Sequence, residues 1–514
     1  MRSLTEPETA QVLTHLQAEV ARLQRIIQLK DEQIRLLNWR LFGPKADQLS
    51  SAQMPLLLEE VSLTTGEVDQ EAEQPQEQKQ NPLPRTPQPR RAHPGREPLP
   101  ASLERREELI PCCPEDCRCP KCGGERPVIG YETREELAMT PAQFWVRVIQ
   151  REKRGSHCQE EQGVATAAAP AQIVPKGKLS NEFIIEVLVR KYREHLPVYR
   201  QCATLALEHG IELSRKTLSD AILAAGSLLA PVVGAMRLEL LAGGYLQADE
   251  TTMPCQTGER TGRNHRAFLW EFSQPGKVVV FEFQLGRGRA GPKKFLQGFR
   301  GKLQCDGYGA YADLGEGITY VGCGAHLRRG FVDAAKVAPL DPRPQEIVAR
   351  FAALYAIEKE AREGGLGPEQ RQALRQAKSA PVLAALKARL VALRQEIAPG
   401  GKLARACDYA LGQWSRWAEY LQDGRVEIDN NWCEGAMRPL ALGRKNWLHI
   451  GSAEAGPKIA AIASIVETCR RLDLNVRTYL LDVLPKLGEW PINRVAELTP
   501  TAWKAAQAVP AAKG

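Results

Sequence analysis

Apolar residues recur every seventh position at the start of the chain, at Leu13, Val20, Ile27, Ile34 and Leu41. A second series three positions on runs through Leu16, Leu23, Lys30 and Leu37, with Lys30 as its polar member. Two series in that phase over about four heptads predict a coiled coil in residues 1–50 and self-association through it, with a helix folded against its own chain as the alternative. The pattern dissolves over 51–103, where Glu and Gln dominate first and Pro and Arg take over. Such a segment buries too little apolar surface to offset chain entropy, and it reads as a disordered linker. A cysteine-rich module occupies 104–175 and helices occupy 176–240. Five apolar or β-branched runs bounded by turn residues then read as strands: 244–248, 265–272, 277–284, 302–305 and 318–322. A long helical stretch, about 341–420, separates them from an acidic and basic segment at 427–452. The chain reads as helical to 487 and then trails into a polar tail.

Composition narrows this to a folded protein of several domains. Of 514 residues, 43% are hydrophobic and 25% charged, the balance of an ordinary globular chain. The net charge of +8 permits a polyanionic partner without requiring one. Residues 1–9 are polar and carry no apolar core of an export signal. The longest apolar stretch, 221–236, is interrupted by Gly226, Ser227, Pro231 and Gly234 and falls short of the roughly 18 residues of a membrane span. It reads as a buried helix. The 13 cysteines are odd in number and scattered, which predicts reduced thiols and a metal site in a soluble, cytoplasmic protein.

Three acids carry the candidate chemistry. Asp249 closes the run Gly243-Gly244-Tyr245-Leu246-Gln247-Ala248, where a strand is expected to meet a polar turn. Asp306 follows Lys302-Leu303-Gln304-Cys305 at the end of another strand. If the two strands are neighbours, both carboxylates project from one end of a sheet and offer hard oxygen ligands that suit magnesium. Asp429-Asn430 is a good helix cap, which places Glu434 in the first turns of a helix and Arg438 one turn further along the same face. Two divalent ions held this way clamp the attacking and leaving oxygens of a phosphoryl displacement. A single aspartate at a strand end is more often a turn or cap residue, so the residues alone leave both readings open.

The strings Ala248-Asp249-Glu250-Thr251, Leu303-Gln304-Cys305-Asp306-Gly307-Tyr308 and Asp429-Asn430-Asn431 through Glu434 resemble the three acidic blocks of insertion-sequence-66 family transposases. The resemblance extends through Arg438-Pro439-Leu440-Ala441-Leu442-Gly443-Arg444-Lys445-Asn446-Trp447-Leu448, Leu41-Phe42-Gly43, the Cys119/Cys122 pair and His195-Leu196-Pro197-Val198-Tyr199-Arg200, and so covers nearly the whole chain. It implies an α/β multidomain protein with a ribonuclease-H-like catalytic core over 241–470, a helical insertion before the glutamate and a helical C-terminal tail over 471–514. It also implies a triad of Asp249, Asp306 and Glu434 holding magnesium or manganese, DNA ends and target DNA as substrates, and accessory proteins from the same element. A bacterial, nucleoid-associated location goes with that function.

Basic residues surround these acids. Arg438, Arg444 and Lys445 follow Glu434, and His326, Arg328 and Arg329 follow the last strand, where the family carries a similar stretch beginning at Cys323. Cations of this kind position DNA through its phosphates without reading sequence. The helices at 198–208 and 214–223, with Gly210 in the turn and Ser214 as cap, form a helix-turn-helix pattern that would bring Arg215 and Lys216 to DNA, although structural helix pairs share this shape. Cys119-Pro120-Lys121-Cys122-Gly123-Gly124 is a zinc-knuckle pattern. Cys158 is a third thiolate where the family offers a second pair, Glu161 stands at the fourth position with His157 as an alternative ligand, and Cys112, Cys113 and Cys117 are further candidates nearby; the other reading is a small fold without zinc, held by its apolar residues alone. Two rival functions share these features. A nuclease on the same core would cut DNA without joining it, and a silent, regulatory relative would bind DNA without metal-dependent cleavage.

Overall fold

The computed structural model describes residues 16–24, 26, 27, 30, 34, 143–155, 164–257 and 264–508. Residues 51–103, read as a linker, lie outside the described residues, as do Cys119, Cys122 and Cys158. Where described, 16–34 is helical, and Leu16, Val20, Leu23, Ile27 and Ile34 are exposed along it. The chain divides into two compact units, and one of them is 82–167. Its described residues include the antiparallel pair β1 (Lys153–Gly155) and β2 (Val164–Thr166), in which Arg154 faces Ala165.

In the other unit, residues 168–514 open with α1 (Asn181–Tyr192), α2 (Val198–His209) and α3 (Arg215–Ala242). Gly210 ends α2 in the left-handed conformation at φ 66°, which a residue without a Cβ adopts at little cost. Ser214 caps α3 by accepting the Thr217 N–H at 3.0 Å. The second helix of the predicted pair does not stop near 223. An apolar face of Leu218, Ile222, Leu229, Val232, Met236 and Leu240 continues without a break, and the helix runs through Pro231 to Ala242. It is long and apolar enough to cross a membrane, but this face packs into the protein core. At Gly226 a Cβ would stand 2.6 Å from the Lys458 carbonyl oxygen, so α3 and the helix carrying Lys458 approach backbone to backbone.

All five predicted strands form, in one sheet. They are β3 (Tyr245–Cys255), β4 (His265–Ser273), β5 (Val279–Gln284), then, after the short α4 (Ala290–Phe295), β6 (Gly301–Gln304) and β7 (Ile318–Val321). Their order is β5-β4-β3-β6-β7, antiparallel from β5 to β3 and parallel from β3 to β7. The first strand is longer than its apolar run suggested. Past Ala248 it stays paired with β4 as far as Cys255↔His265, because Thr251, Thr252 and Met253 suit a pleated ribbon even where β6 has ended. Asp249 therefore lies inside a strand, at the point where the parallel neighbour stops, and not in a turn.

The remaining helices flank this sheet. The expected insertion is helical: α5 (Gly324–Val337) leads into α6 (Pro342–Glu363), α7 (Pro368–Leu374), α8 (Ala380–Glu396), α9 (Lys402–Gly412) and α10 (Trp414–Ala418). They enclose a second core around Phe331, Phe351, Leu386, Leu390 and Trp417, which reaches the sheet at Tyr245 and Val321. The chain returns through 424–430 to α11 (Asn431–Trp447), then α12 (Ala455–Arg471) and α13 (Val476–Val483). Ser464 and Thr468, one turn apart on α12, bond the backbone of β5: Phe281 N–H donates to Ser464 Oγ at 2.8 Å and Val279 N–H to Thr468 Oγ1 at 3.0 Å. The open edge of the sheet is thereby covered. The segment expected as a helical C-terminal tail carries helix past 487 as well, ending on α14 (Pro500–Ala508), held where Trp503 Nε1–H donates to Asp482 at 2.8 Å.

Candidate active site

Parallel pairing of β3 with β6 places Leu246 against Leu303 and Gln247 against Gln304. The pairing ends there, and Asp249 and Asp306 each follow two residues later; Asp249 is still within β3, on the face that carries Tyr245 and Gln247 because side chains alternate along a strand, and it lies near enough to Asp306 to feel its charge. The two strands repeat one pattern, Leu-Gln-x-Asp, at 246–249 and 303–306. The glutamines make the match physical. Gln247 Nε2 donates to Gln304 Oε1 at 2.9 Å, and Tyr245 Oη donates to the same oxygen at 2.6 Å, all buried. Register set by a hydrogen bond between buried amides is costly to slip, since a one-residue shift would strand both groups.

Glu434 reaches this end of the sheet on the first turn of α11. Asn430 stands at the cap position, but its side chain does not cap the helix. Its Nδ2 donates to the Ala248 carbonyl at 3.1 Å, and Asp429 takes over the capping by accepting the Asn431 N–H at 3.0 Å. The helix start is thus pinned to β3 one residue before Asp249. Glu434 N–H donates to the Asn430 carbonyl at 3.1 Å, which carries the anchor directly to the acid.

Asp249 is pushed up to about 7, first by burial and then by the nearby charges of Glu250, Asp306 and Glu434, against a single 2.8 Å hydrogen bond from the Glu250 N–H. The charges of Asp306 and Glu434 thus both reach Asp249. The three acids are not drawn into a ready-made cage: among the described residues, no three His, Cys, Asp or Glu side chains lie close enough together to hold a metal ion. Magnesium does not need such a cage, because it keeps several waters and uses one or two carboxylates plus substrate phosphates. The donor set fits that role. It is all oxygen, the charge crowding on Asp249 is of the kind a cation relieves, and Glu434 Oε1 is buried without a hydrogen-bond partner.

The basic residues divide. His326 Nε2 stands 3.7 Å from Glu434 Oε1, and Arg329, more than half exposed, stands 3.5 Å from Oε2. Arg328 lies on the same turn of α5, half-buried near Tyr355. Arg438 and Lys445 are exposed along α11, whereas Arg444 turns toward β3 and donates to the carbonyl and hydroxyl of Thr252. Arg215 and Lys216 are exposed at the start of α3, where Lys216 pairs with Asp220 at 2.6 Å.

Several neighbours escaped the sequence reading. Arg287 Nε donates to Glu250 at 2.8 Å while its guanidinium lies 3.7 Å from the centre of the Tyr308 ring, in the turn just after Asp306. Tyr311 Oη donates to the other Glu250 oxygen at 2.7 Å. Glu271, opposite Asp249 on β4, is fully buried beside Arg471 at 3.2 Å. Nothing in composition or spacing links these residues. The repeated Leu-Gln-x-Asp was a visible signal and predicts the register outright.

The chain is similar to known proteins over most of its length. Residues 176–458 match the model described as Transposase IS66 family, 116–159 the zinc-finger binding domain of transposase IS66, and 464–501 the IS66 C-terminal element. Residues 31–107 match a model described as Transposase C of IS166 homeodomain. Cys119, Cys122 and Cys158 all fall inside the zinc-finger match. Among relatives, the chain is 31% identical to the uncharacterized protein y4hP of Sinorhizobium fredii, over 81% of this chain and 78% of that protein. It is 30% identical to y4qI of the same organism, over 95% and 92% respectively, and 33% identical to y4jD, over 80% and 82%.

Proposed function

The chain belongs to the Transposase IS66 family, and from that premise we propose that it is a DNA transposase that cleaves the ends of its insertion sequence and joins the 3′ ends to target DNA. The observation that supports this reading is the parallel β3–β6 register, which ends two residues before both Asp249 and Asp306, with the start of the helix that carries Glu434 bonded to β3 through Asn430. The strand order, antiparallel on one side of β3 and parallel on the other, supports a ribonuclease-H-like core over 241–470 with the helical insertion set inside it.

Asp249, Asp306 and Glu434 would hold magnesium or manganese. Bound there, the divalent ions supply positive charge to activate a water or 3′-hydroxyl nucleophile and to stabilise the leaving oxygen. The protein contributes position: buried amides fix the two aspartates, and the anchored helix start fixes the glutamate. Arg329 and His326, beside Glu434, and Arg438 and Lys445, along α11, would take strand phosphates next to the acids, with Arg328 and Arg444 shaping the same border. Arg215 and Lys216, at the exposed start of α3, would contact DNA elsewhere on the molecule.

The other parts of the reading rest on the sequence and its matches. Cys119, Cys122 and Cys158 would hold zinc in a ribbon-like module over 104–175. The exposed stripe from Leu16 to Ile34 supports pairing of two copies in a coiled coil, which brings two DNA ends together. Accessory proteins of the same element and a site of action on the bacterial nucleoid complete the proposal. The test is purified protein with end-bearing DNA and magnesium. Wild type cleaves and joins, and Asp306→Asn or Glu434→Gln does neither. Full strand transfer by either variant overturns the proposal.

A further inference from the structure

Residues 427–430, the crossover from the insertion to α11, are bonded on both sides. Toward the sheet, Glu427 N–H donates to Tyr245 Oη at 3.0 Å, Gln304 Nε2 donates to the Glu427 carbonyl at 2.9 Å, and Gln247 Nε2 donates to the Asp429 carbonyl at 2.9 Å. Toward the insertion, Trp417 Nε1–H donates to the Ile428 carbonyl at 3.0 Å. The Glu427 carboxylate takes both arms of Arg371, at 3.0 and 2.6 Å. Arg371 also grips Glu358 at 2.6 Å, and Glu358 is held by Arg375 at 2.7 and 2.8 Å. Arg375 in turn donates to the Tyr420 and Asp423 carbonyls at 2.7 and 3.0 Å.

This chain of charges is nearly dry. Arg375 and Glu358 are at most 1% exposed, and Arg371 and Glu427 are 11% and 12% exposed. Charges in such surroundings hold their geometry tightly, because a guanidinium that leaves its carboxylate abandons both parallel bonds and an uncompensated charge. Of these pairs, Arg371–Glu427 bonds the crossover directly, and Arg375–Glu358 backs it through Arg371. The crossover they grip ends at Asn430, whose carbonyl accepts the Glu434 N–H.

We infer that Arg371 and Glu427 are positioning residues for Glu434. The helical insertion sets where α11 begins, through the ladder Arg375–Glu358–Arg371–Glu427, and so sets where the third acid stands relative to Asp249 and Asp306. This inference rests on the reading of those acids as the catalytic set. It gives the insertion a task besides enclosing its own core, since the side chains that fix the crossover come from α6 and α7 as well as from the sheet.

The test compares Arg371→Lys and Glu427→Gln with Leu390→Ala in the full-length protein. Arg371→Lys keeps the charge and loses the planar fork, Glu427→Gln keeps the shape and loses the charge, and Leu390→Ala opens the insertion core without touching the ladder. Mn2+ affinity without DNA, kcat and KM for end cleavage, melting temperature, and hydrogen exchange over 427–436 are measured for each. In Glu427→Gln and Arg371→Lys, Mn2+ affinity and kcat fall about tenfold or more, KM for DNA stays level, and exchange over 427–436 accelerates. Leu390→Ala melts earlier and keeps its Mn2+ affinity. Wild-type affinity and kcat in both ladder variants, or an equal loss of Mn2+ affinity in Leu390→Ala, would overturn the inference. A wild-type protein that binds no Mn2+ and cleaves no DNA would defeat the catalytic reading instead. The exchange data then still decide the ladder: unchanged protection over 427–436 in Glu427→Gln ends it, and lost protection upholds it.

Discussion

Gln247 donates to Gln304 across the parallel β3–β6 ladder at 2.9 Å, and each glutamine stands two residues before an aspartate. One buried amide contact therefore closes the parallel register two residues before both acids. Gln304 also donates to the Gly322 and Glu427 carbonyls, at 3.0 and 2.9 Å, so four partners converge on a single side chain. Gln304→Leu should leave the donors of Gln247 and Tyr245 short of an acceptor, and two carbonyls short of a donor, and destabilise the protein by about 2–4 kcal/mol. Denaturant melts measure this. A loss under about 0.5 kcal/mol would mean that the amide pair does not hold the register.

Thr468 gives a sharper stability test, because a single hydroxyl serves both polar groups of one edge residue. Its Oγ1 accepts from the Val279 N–H and donates to the Val279 carbonyl, both at 3.0 Å. Thr468→Val keeps the volume and removes both bonds in a fully buried place, at a cost of about 1–3 kcal/mol. It should also speed exchange of the Val279 amide more than that of interior β4 amides. Equal exchange rates in variant and wild type would show that the helix does not protect this edge.

Much of this architecture could be read from the chain. The five strands announce themselves by β-branched and aromatic runs between turn residues, and the insertion by its helical composition. Asp249 shows where such reading fails. Thr251, Thr252 and Met253 look like a polar turn until β4 is known to pair with them, and pairing is a property of the partner. Asn430 fails for a related reason: a cap sequence predicts a side chain turned to its own helix, but an unpaired carbonyl on β3 claims it. The ladder Arg375–Glu358–Arg371–Glu427 was invisible, because ion pairs between residues this far apart follow from tertiary packing that no local pattern encodes.

If the border of the site meets DNA through phosphates, its charges should act without regard to sequence. Arg438 and Lys445 are exposed along the helix that carries Glu434. The double variant Arg438→Ala/Lys445→Ala should weaken binding to end-bearing and unrelated duplexes by the same factor. The slope of log affinity against log salt should fall by about 0.9 for each phosphate contact removed, or nearly two in all. Fluorescence anisotropy over a salt series reads both quantities. An unchanged slope would take these two residues off the DNA.

Asp249 ties metal binding to pH. Burial and the charges of Glu250, Asp306 and Glu434 raise its carboxyl to about 7, against roughly 3.9 in an unfolded chain. A raised acid stabilises the fold while it holds its proton, and that contribution is lost as pH rises through about 7. The metal-free protein should therefore lose stability between about pH 4 and 7 relative to Asp249→Asn, whose amide does not titrate. A cation binds the charged form, so it competes with this proton. Mn2+ affinity should rise by up to about tenfold per pH unit below 7 and level off above it, with a proton released into solution on the acid side. Calorimetric titrations in buffers of different ionisation enthalpy count that proton. If affinity is flat from pH 5.5 to 8 and no proton is released, Asp249 is not the carboxylate that receives the metal.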